Sequence, residues 1–305
     1  MIADAARRAL EALLGERVRF DAPVGRHTSL GVGGAADAIA TPESIAEVEA
    51  LVALCAEQRI PLHVLGGGFN TLVRDAGVDG VVLRTQRLRQ LEVDADSVLN
   101  AQAGVSHSQV TRLTLERGLA GLEFGAGIPG SVGGWVAMNA GIPGRETGDR
   151  VLEIEVATPR GGLQRIGRAG LRFVYRGVQG LPAGSVVVAA RFQLEPSTRE
   201  AVRAEVERHL AHRRDTQPID QPSFGSVFKN PPGERAGQLI ELAGLKGLRC
   251  GGAEISSVHA NFIVNVGAAR AADALELMRR AQAAVRAQRG IELEPEVRIV
   301  GRCEA

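Results

Sequence analysis

Two clusters of glycine constrain the fold of this chain more than any other feature of its sequence. Gly66, Gly67 and Gly68 directly follow the apolar run 61–65, and five of the ten residues from 125 to 134 are glycine. Glycine is also abundant overall, with 38 in 305 residues, against a usual frequency of about 7%. Because there is no G-X-Y period, this abundance indicates tight turns and close backbone approaches in a globular chain and excludes collagen.

The rest of the chain alternates strand and helix patterns, which predicts a mixed α/β (α+β) fold. Strands are predicted at 61–65, 80–84, 98–102, 151–157, 163–166, 185–194, 261–266 and 297–301. Helices are predicted at 5–14, 108–116, 236–243 and 269–289, together with a charged helix from 196 to about 214. A further helix ends near Arg59, and either Thr41 or Ser44 with Glu47 is placed to cap its start. Residues 215–234 are expected to form a loop.

Composition excludes several classes of protein. The 36 basic and 35 acidic residues give a formal charge of +1, and the aromatic residues are 8 Phe, 1 Tyr and 1 Trp. Nucleic acid is therefore not expected as a partner, because there is neither a dominant basic field nor enough aromatic surface to stack bases. Cys55, Cys250 and Cys303 form no C-x-x-C, which argues against disulfides and a metal site and favours a reducing compartment. Neither a signal peptide nor a bilayer-spanning stretch is recognisable, so we expect a cytoplasmic protein without membrane contact.

Both glycine clusters are typical of backbone that binds anions. Residues 66–71 follow a predicted strand, and successive glycines let backbone amides point into one concavity that suits phosphate oxygens. The second cluster leads into a short apolar helix expected after Ser131, and a helix N-terminus offers free amides and partial positive charge. Tight structural turns are the competing interpretation of each cluster, and neither matches the Rossmann or P-loop pattern. Together the two clusters favour a dinucleotide.

Both glycine clusters lie in longer motifs. GGGFNTL at 66–72 and AGIPGSVGGWVAMNAG at 126–141 look like the flavin-binding signatures of the bacterial UDP-N-acetylenolpyruvoylglucosamine reductases. The resemblance continues through Tyr175-Arg176, GSVFKNP at 225–231, AGQLIE at 236–241, HANF at 259–262 and PEV at 295–297. The span between Tyr175 and Ser226 is short, as in the family's shorter variant, which lacks an inserted subregion.

The resemblance implies a fold and a cofactor. The fold is that of the vanillyl-alcohol-oxidase-like class, with a two-lobed FAD-binding region at 1–85 and 86–196 and a C-terminal α+β substrate domain at 197–305. FAD is expected to be noncovalent and to be reduced by NADPH, so that its N5 passes hydride to UDP-N-acetylglucosamine enolpyruvate on the route to peptidoglycan. The expected cofactor-binding residues are Gly66, Gly67, Gly68, Phe69, Asn70, Thr71, Gly127, Ile128, Pro129, Gly130, Ser131, Gly133, Gly134 and Asn139.

Three side chains match the family's catalytic positions. Arg176 is expected to stabilise the substrate carboxylate, since a guanidinium donates two parallel hydrogen bonds to it. Ser226 is the implied proton donor, and Glu296 is implied to assist the arginine. Without the resemblance, Ser226 is an ordinary turn residue and Glu296 an exposed residue before a strand. The expected substrate-binding residues are Tyr175, Lys229, Asn230, Arg213 and Gln217, although on the sequence alone a solvated helix face is the stronger interpretation of Arg213 and its neighbour Arg214.

Two other functions stay open on the sequence alone. A different FAD-dependent oxidase or dehydrogenase of the same fold class would use the glycine clusters, but it gives no reason for Ser226, Lys229 and Glu296 together. A nonenzymatic nucleotide-binding module would need neither a redox cofactor nor a proton donor. The expected partner is a small-molecule UDP-sugar. The oligomeric state is left open, with a monomer slightly favoured.

Overall fold

The computed structural model describes residues 2–303, which form two compact units. The first unit contains the chain up to Phe20, Ala38–Gly67 and Gly80–His212. The second contains Asp21–Asp37, Gly68–Asp79 and the described residues from Arg213 onward. This grouping differs from the consecutive segments 1–85, 86–196 and 197–305, because two short N-terminal stretches belong with the C-terminal region. As a division by function, the three segments stay a prediction.

The helices are α1 (Asp4–Leu14), α2 (Ile45–Glu57), α3 (His107–Arg117), α4 (Val132–Ala137), α5 (Arg199–Thr216), α6 (Ala236–Leu242) and α7 (Ala271–Arg289). The strands are β1 (Val18–Pro23), β2 (Ala35–Ala40), β3 (Leu62–Leu65), β4 (Thr71–Val73), β5 (Val78–Arg84), β6 (Leu91–Val93), β7 (Val98–Gln102), β8 (Leu119–Ala120), β9 (Gly141–Ile142), β10 (Arg145–Glu146), β11 (Val151–Ala157), β12 (Leu163–Gly167), β13 (Arg172–Val174), β14 (Gly177–Gln179), β15 (Val186–Gln193), β16 (Glu195–Pro196), β17 (Ser223–Ser226), β18 (Arg249–Cys250), β19 (Ala253–Ile255), β20 (Phe262–Asn265) and β21 (Arg298–Val300). Within residues 2–303, no helix has both the length and the apolar character needed to cross a bilayer.

Local sequence signals explain where the early helices begin and end. Ser44, not Thr41, is the N-cap of α2, and its side chain accepts a hydrogen bond from the Glu47 amide at 3.2 Å. Helix α3 ends at Gly118, whose left-handed φ of 64° costs glycine no steric penalty. Of the two caps that the sequence allows for α2, the structure therefore shows Ser44.

The first unit holds two large apolar cores and a small cluster in which Val202 and Val206 of α5 pack with Ala126. One is built mainly from residues 2–88 and includes α1, α2 and the inner faces of β3 and β5. The other is built from residues 99–194, around an antiparallel sheet of order β12-β11-β15-β7-β6. Strands β3 and β5 run parallel, with Leu65 opposite Arg84 at their carboxyl ends. This register places the first glycine cluster at the carboxyl edge of the pair.

The second unit combines an antiparallel sheet of order β17-β20-β19-β18 with α6 and α7, which share one core. The expectation of a continuous loop at 215–234 is wrong, since β17 occupies Ser223–Ser226. This strand is too short for a period in its sequence, and its only buried residue is Phe224. Pairing with β20 defines it, with a register shift between Ser223 and Ser226, so tertiary contacts override the weak local pattern.

Candidate active site

The two glycine clusters meet within the first unit. A Cβ atom added at Gly66 would lie 2.5 Å from the Ser131 Oγ and 3.9 Å from the Thr85 Oγ1. Such a distance to Ser131 is shorter than real Cβ contacts, so the end of β3 and the start of α4 approach as closely as they do because residue 66 has no side chain. The first part of one cluster and the helix start of the other therefore form one continuous surface.

Glycine is required for different physical reasons at different positions of the second cluster. The glycines at 125 and 133 are required by packing, because a Cβ there would overlap the Trp135 ring or approach the Ala103 Cβ to 2.8 Å. Those at 127 and 130 have φ values of 78° and 118°, in the region that favours glycine. They flank Ile128 and Pro129, and the Ile128 amide closes the turn by donating to the Gly125 carbonyl at 2.7 Å.

Neither of these reasons applies to Gly134. It is exposed on α4, and a Cβ added there would meet nothing within 4 Å. A helical glycine is less stable than alanine by about 0.5–1 kcal/mol, so neither packing nor backbone conformation explains this residue. The open space beside Gly134 fits a bound group that passes close to the helix backbone.

The amides at the start of α4 are partly used by the protein. Val132 and Gly133 donate to the carbonyls of Val105 and Ala103, each at 2.9 Å. These two amides are therefore occupied in this structure. The polar atom left over is the Ser131 Oγ, which is buried and has no hydrogen-bond partner among residues 2–303. A buried hydroxyl without a partner is costly unless a ligand supplies one.

Arg84 is a residue that sequence reasoning missed. It ends β5 opposite Leu65, the residue directly before Gly66. Its Nε is buried without a partner among the described residues. Burial lowers the pKa of Arg84, and repulsion from Arg87 lowers it further. A desolvated guanidinium beside a second cation is suited to an anion such as a diphosphate. Arginine is the common cation of this chain, so an individual arginine carries little signal in the sequence.

The remainder of the first cluster lies in the second unit. Gly68 has φ 78°, and a Cβ there would overlap the His27 carbonyl. Phe69 is exposed, and Thr71 begins β4, which pairs with β21. Asn70 has a φ of 54°, its amide donates to the Phe224 carbonyl at 3.1 Å, and its Nδ2 donates to the Glu296 carbonyl at 3.2 Å. Asn70 thus ties this loop to the segments that carry Ser226 and Glu296.

Those two segments lie side by side. The Glu296 amide donates to the carbonyl of Val227, the residue after Ser226, at 2.8 Å. Phe228 bridges to Pro295, and the Lys229 amide donates to the Glu294 carbonyl at 2.9 Å. The structure therefore brings together two sequence strings that lie about 70 residues apart.

Side chains fix this pairing. Asn261, from the HANF string, is buried, accepts from the Phe228 amide at 3.0 Å and donates to the Phe228 carbonyl at 2.8 Å. The Lys229 ammonium forms an ion pair with Glu294. The Asn230 Oδ1 accepts from the Ala236 amide at 3.0 Å, at the start of α6. Of the two predicted substrate-binding residues here, Lys229 holds an exposed carboxylate that an anionic ligand can displace, while Asn230 also stabilises a helix start.

Tyr175 and Arg176 form the two-residue turn between β13 and β14 in the first unit. Arg176 has φ 59°, which is rare outside glycine and costs of order 1–3 kcal/mol. Its guanidinium lies over the Tyr175 ring, 4.9 Å from the centroid, and Tyr175 is exposed. Asn139, expected at the cofactor, is fully buried, and its side-chain amide is hydrogen-bonded to protein groups.

Arg213 and Gln217 lie at the carboxyl end of α5. The Arg213 Nε is buried without a partner among residues 2–303, and burial lowers the pKa of Arg213 to about 10. The Gln217 amide donates to the Arg213 carbonyl at 2.9 Å. The neighbouring Arg214 is exposed. The solvated-face interpretation therefore suits Arg214, whereas Arg213 is a desolvated cation that fits an anionic ligand.

Comparisons with known proteins agree with these motifs. A family model described as the C-terminal domain of UDP-N-acetylenolpyruvoylglucosamine reductase matches residues 217–300, and one described as an FAD binding domain matches residues 36–167. The UDP-N-acetylenolpyruvoylglucosamine reductase of Geobacter metallireducens is 47% identical over 95% of both chains. That of Geotalea uraniireducens is 43% identical over 99% of both. The crystal structure of the Thermus caldophilus reductase is similar at a TM-score of 0.78, with 36% identity, covering 93% of this chain and 98% of that one.

Proposed function

The chain belongs to the UDP-N-acetylenolpyruvoylglucosamine reductase family, and from this premise we propose that Arg176, Ser226 and Glu296 carry its reaction. The enzyme is an FAD-dependent oxidoreductase that uses NADPH to reduce UDP-N-acetylglucosamine enolpyruvate to UDP-N-acetylmuramate. The observation that best supports the assignment is the hydrogen bond from the Glu296 amide to the Val227 carbonyl, which brings the backbone of Glu296 beside that of the residue after Ser226.

The first unit fits the diphosphate of FAD. Gly66 and Gly134 leave room beside the backbone, the Ser131 Oγ lacks a partner within residues 2–303, and Arg84 adds a desolvated cation. When bound, FAD supplies the hydride that no side chain can donate. We propose that Gly66, Ser131, Gly134 and Arg84 hold it, with the turn 127–130 beside them.

The chain's own residues supply charge and proton. We assign Arg176 to the substrate carboxylate, where its two parallel N–H groups stabilise the charge that develops as the double bond is reduced. Ser226 delivers a proton to the carbon next to that carboxylate. The residue after it is held on both sides, because the Val227 amide donates to the Asn261 carbonyl and the Val227 carbonyl accepts from the Glu296 amide. Glu296, whose amide is bonded to the Val227 carbonyl next to Ser226, assists at the carboxylate. Lys229, Tyr175 and Arg213 bind the remaining anionic and polar groups of the UDP-sugar.

An anaerobic two-step experiment tests the function. The flavin is first reduced with NADPH, and UDP-N-acetylglucosamine enolpyruvate is then added without oxygen. We expect the flavin absorbance to return only when this substrate is present. If the flavin absorbance returned only when oxygen was admitted, the result would favour an oxidase. Protein that stays colourless after FAD is supplied would contradict a flavoenzyme.

Replacement of Gly134 by alanine separates folding from cofactor binding. We expect the apo-protein to gain about 0.5–1 kcal/mol in the free energy of unfolding, because the added methyl meets nothing within 4 Å. The affinity for FAD should fall about tenfold or more, because the methyl fills the space left for the cofactor. Urea unfolding and quenching of flavin fluorescence measure the two effects.

Gly167→Ala is the matched control for this substitution. A Cβ at Gly167 also meets nothing within 4 Å, and its φ of −69° suits alanine. FAD affinity should be unchanged in this variant. An unchanged affinity in Gly134→Ala as well would remove α4 from the proposed cofactor site.

Arg213→Gln should raise the KM for the UDP-sugar by about 10- to 100-fold, since a charge-assisted hydrogen bond contributes roughly 1.5–3 kcal/mol. The unliganded protein should keep its stability, because an unbalanced buried charge is removed. FAD affinity should not change. Arg214→Gln, at the exposed neighbour, is the control, and equal effects of both variants on KM would contradict a specific role for Arg213.

We also propose that the enzyme works in the cytoplasm and as a monomer. Cys55, Cys250 and Cys303 are free thiols, which suits a reducing compartment.

A further inference from the structure

Asn139 uses its whole side chain within the protein. It is 0% exposed. Its Oδ1 accepts from the Gly148 amide at 2.9 Å, and its Nδ2 donates to the Glu146 carboxylate at 2.5 Å and to the Val174 carbonyl at 3.1 Å. Both amide hydrogens are therefore committed. A cofactor contact would require one of these buried bonds to break.

The Val174 carbonyl lies at the base of the Tyr175–Arg176 turn. Val174 pairs with Gly177 across the hairpin, so only the two turn residues separate this carbonyl from the opposite strand. Arg176 has a left-handed φ of 59°, and such a conformation persists only where surrounding contacts determine it. The hydrogen bond from Asn139 is one such contact.

A second contact holds the adjacent residue. Gly148 packs so closely on Phe173 that a Cβ at residue 148 would overlap the Phe173 ring. Thr147, next to Gly148, is fully buried, and its Oγ donates to the Ala140 carbonyl at 2.6 Å. The turn at 147–149 and Asn139 thus fix the position of β13 through contacts with Phe173 and Val174.

The same segment is continuous with the cofactor motif. The Asn139 amide donates to the Val136 carbonyl at 3.2 Å, and the Ala140 amide donates to the Trp135 carbonyl at 2.9 Å. Helix α4, which carries Gly134, ends at Ala137, only two residues before the residue that holds the arginine turn. The path from α4 to Arg176 runs through Asn139 and Val174.

We propose that Asn139 is a positioning residue that holds the Tyr175–Arg176 turn in register with α4, and that it is not a ligand of the cofactor. This inference rests on the proposed role of Arg176. A misplacement of about 1 Å at a catalytic group costs about 10² in rate. The loss of Asn139 should therefore affect the step that uses Arg176 and spare the binding of FAD.

Asn139→Asp tests the proposal, because the new carboxylate faces Glu146 and the Val174 carbonyl with no hydrogen to donate. We expect FAD affinity and flavin reduction by NADPH to stay within about threefold of wild type, and substrate-dependent reoxidation to fall about 10²-fold. Adding Glu146→Gln restores a donor opposite the new carboxylate and should recover about tenfold of the loss. A role confined to folding would not give this selective rescue.

Tyr175 provides a direct spectroscopic readout, since it is the only tyrosine in the chain. Labelling with 3-fluorotyrosine gives a single ¹⁹F resonance from the turn. Asn139→Asp should shift or split this resonance, and the Glu146→Gln rescue should return it toward the wild-type position. Thr114→Val, which removes another buried hydroxyl that donates to the Thr111 carbonyl at 3.1 Å, should leave the resonance unchanged.

Three outcomes would overturn the proposal. They are a primary loss of FAD affinity in Asn139→Asp, an equal loss in both half-reactions, and an unchanged ¹⁹F resonance. Phe173→Leu tests the same turn from the Gly148 side without touching Asn139, should the aspartate variant not fold, and a loss of about tenfold confined to reoxidation is expected. Failure of wild-type enzyme to reoxidise with substrate would contradict the proposed function instead.

Discussion

Replacement of Ser226 by alanine is expected to stop product formation and to leave reduction of FAD by NADPH nearly intact. A positioned proton donor contributes about 10² to 10⁴ in rate, so substrate-dependent reoxidation of the flavin should fall by at least 10². Reduction by NADPH requires no proton from Ser226, and its rate should stay within about threefold. Anaerobic stopped-flow absorbance measures both half-reactions in the same sample.

Ser223→Ala is the matched control for this variant. Ser223 begins the same strand β17, is similarly half-buried, and pairs with β20 as Ser226 does. Its loss should leave both half-reactions unchanged. If Ser226→Ala slowed flavin reduction as much as reoxidation, or if Ser223→Ala had the same effect, Ser226 would not be the proton donor.

The surroundings of Ser226 refine the chemistry expected of it. A serine hydroxyl is a weak acid, so it can protonate only a strongly basic, carbanion-like carbon. The sequence places Lys229 three residues away as a cationic support, but the Lys229 ammonium is paired with Glu294. What the structure shows near Ser226 is the backbone of Val227, bonded to the Glu296 amide. The serine is therefore fixed by its backbone, and Lys229 remains free to exchange Glu294 for a phosphate of the substrate.

The sequence predicted best those features that depend on local chemistry. The start of α2 was narrowed to Thr41 or Ser44, of which Ser44 is the cap, and the end of α3 at Gly118 follows from the left-handed conformation that glycine adopts without steric cost. Strand β17 was missed because its hydrogen bonds come from β20, 36 or more residues later in the chain. The grouping of Asp21–Asp37 with the C-terminal region likewise depends on contacts between distant parts of the chain, such as the hydrogen bond from the Asn265 Nδ2 to the Leu30 carbonyl.

The candidate site shows the same limit. The glycine clusters were recognisable, but their sequence cannot tell a glycine required by packing, such as Gly125, from one that leaves space, such as Gly134. Asn139 lies within a recognisable motif, yet its contacts reach Val174, 35 residues away. Arg84 and Arg213 became significant only once it was known that the Nε atom of each is buried without a hydrogen-bond partner among the described residues.

Arg176→Gly is expected to slow the reaction with substrate without lowering the stability of the fold. Removal of a preorganised donor to developing charge costs about 10² to 10³ in rate, and reoxidation by substrate should fall by that factor. The free energy of unfolding should not fall, and should rise by up to about 1 kcal/mol, because glycine adopts a φ of 59° without steric cost. Loss of the contact with the Tyr175 ring offsets part of this gain, since an exposed cation–π contact contributes roughly 0.5–1 kcal/mol.

Arg59→Gly provides the control for both effects. Arg59 is an exposed residue of the first unit with a nearly equal φ of 54°, so the same substitution relieves the same backbone strain away from the turn. It should raise the free energy of unfolding by about 1 kcal/mol and leave both half-reactions unchanged. If Arg176→Gly were destabilised while Arg59→Gly was stabilised, the Arg176 side chain would be needed for folding. If Arg176→Gly kept its stability and lost reoxidation, the side chain would be needed for the reaction, and that requirement would explain why arginine occupies a position where glycine folds equally well.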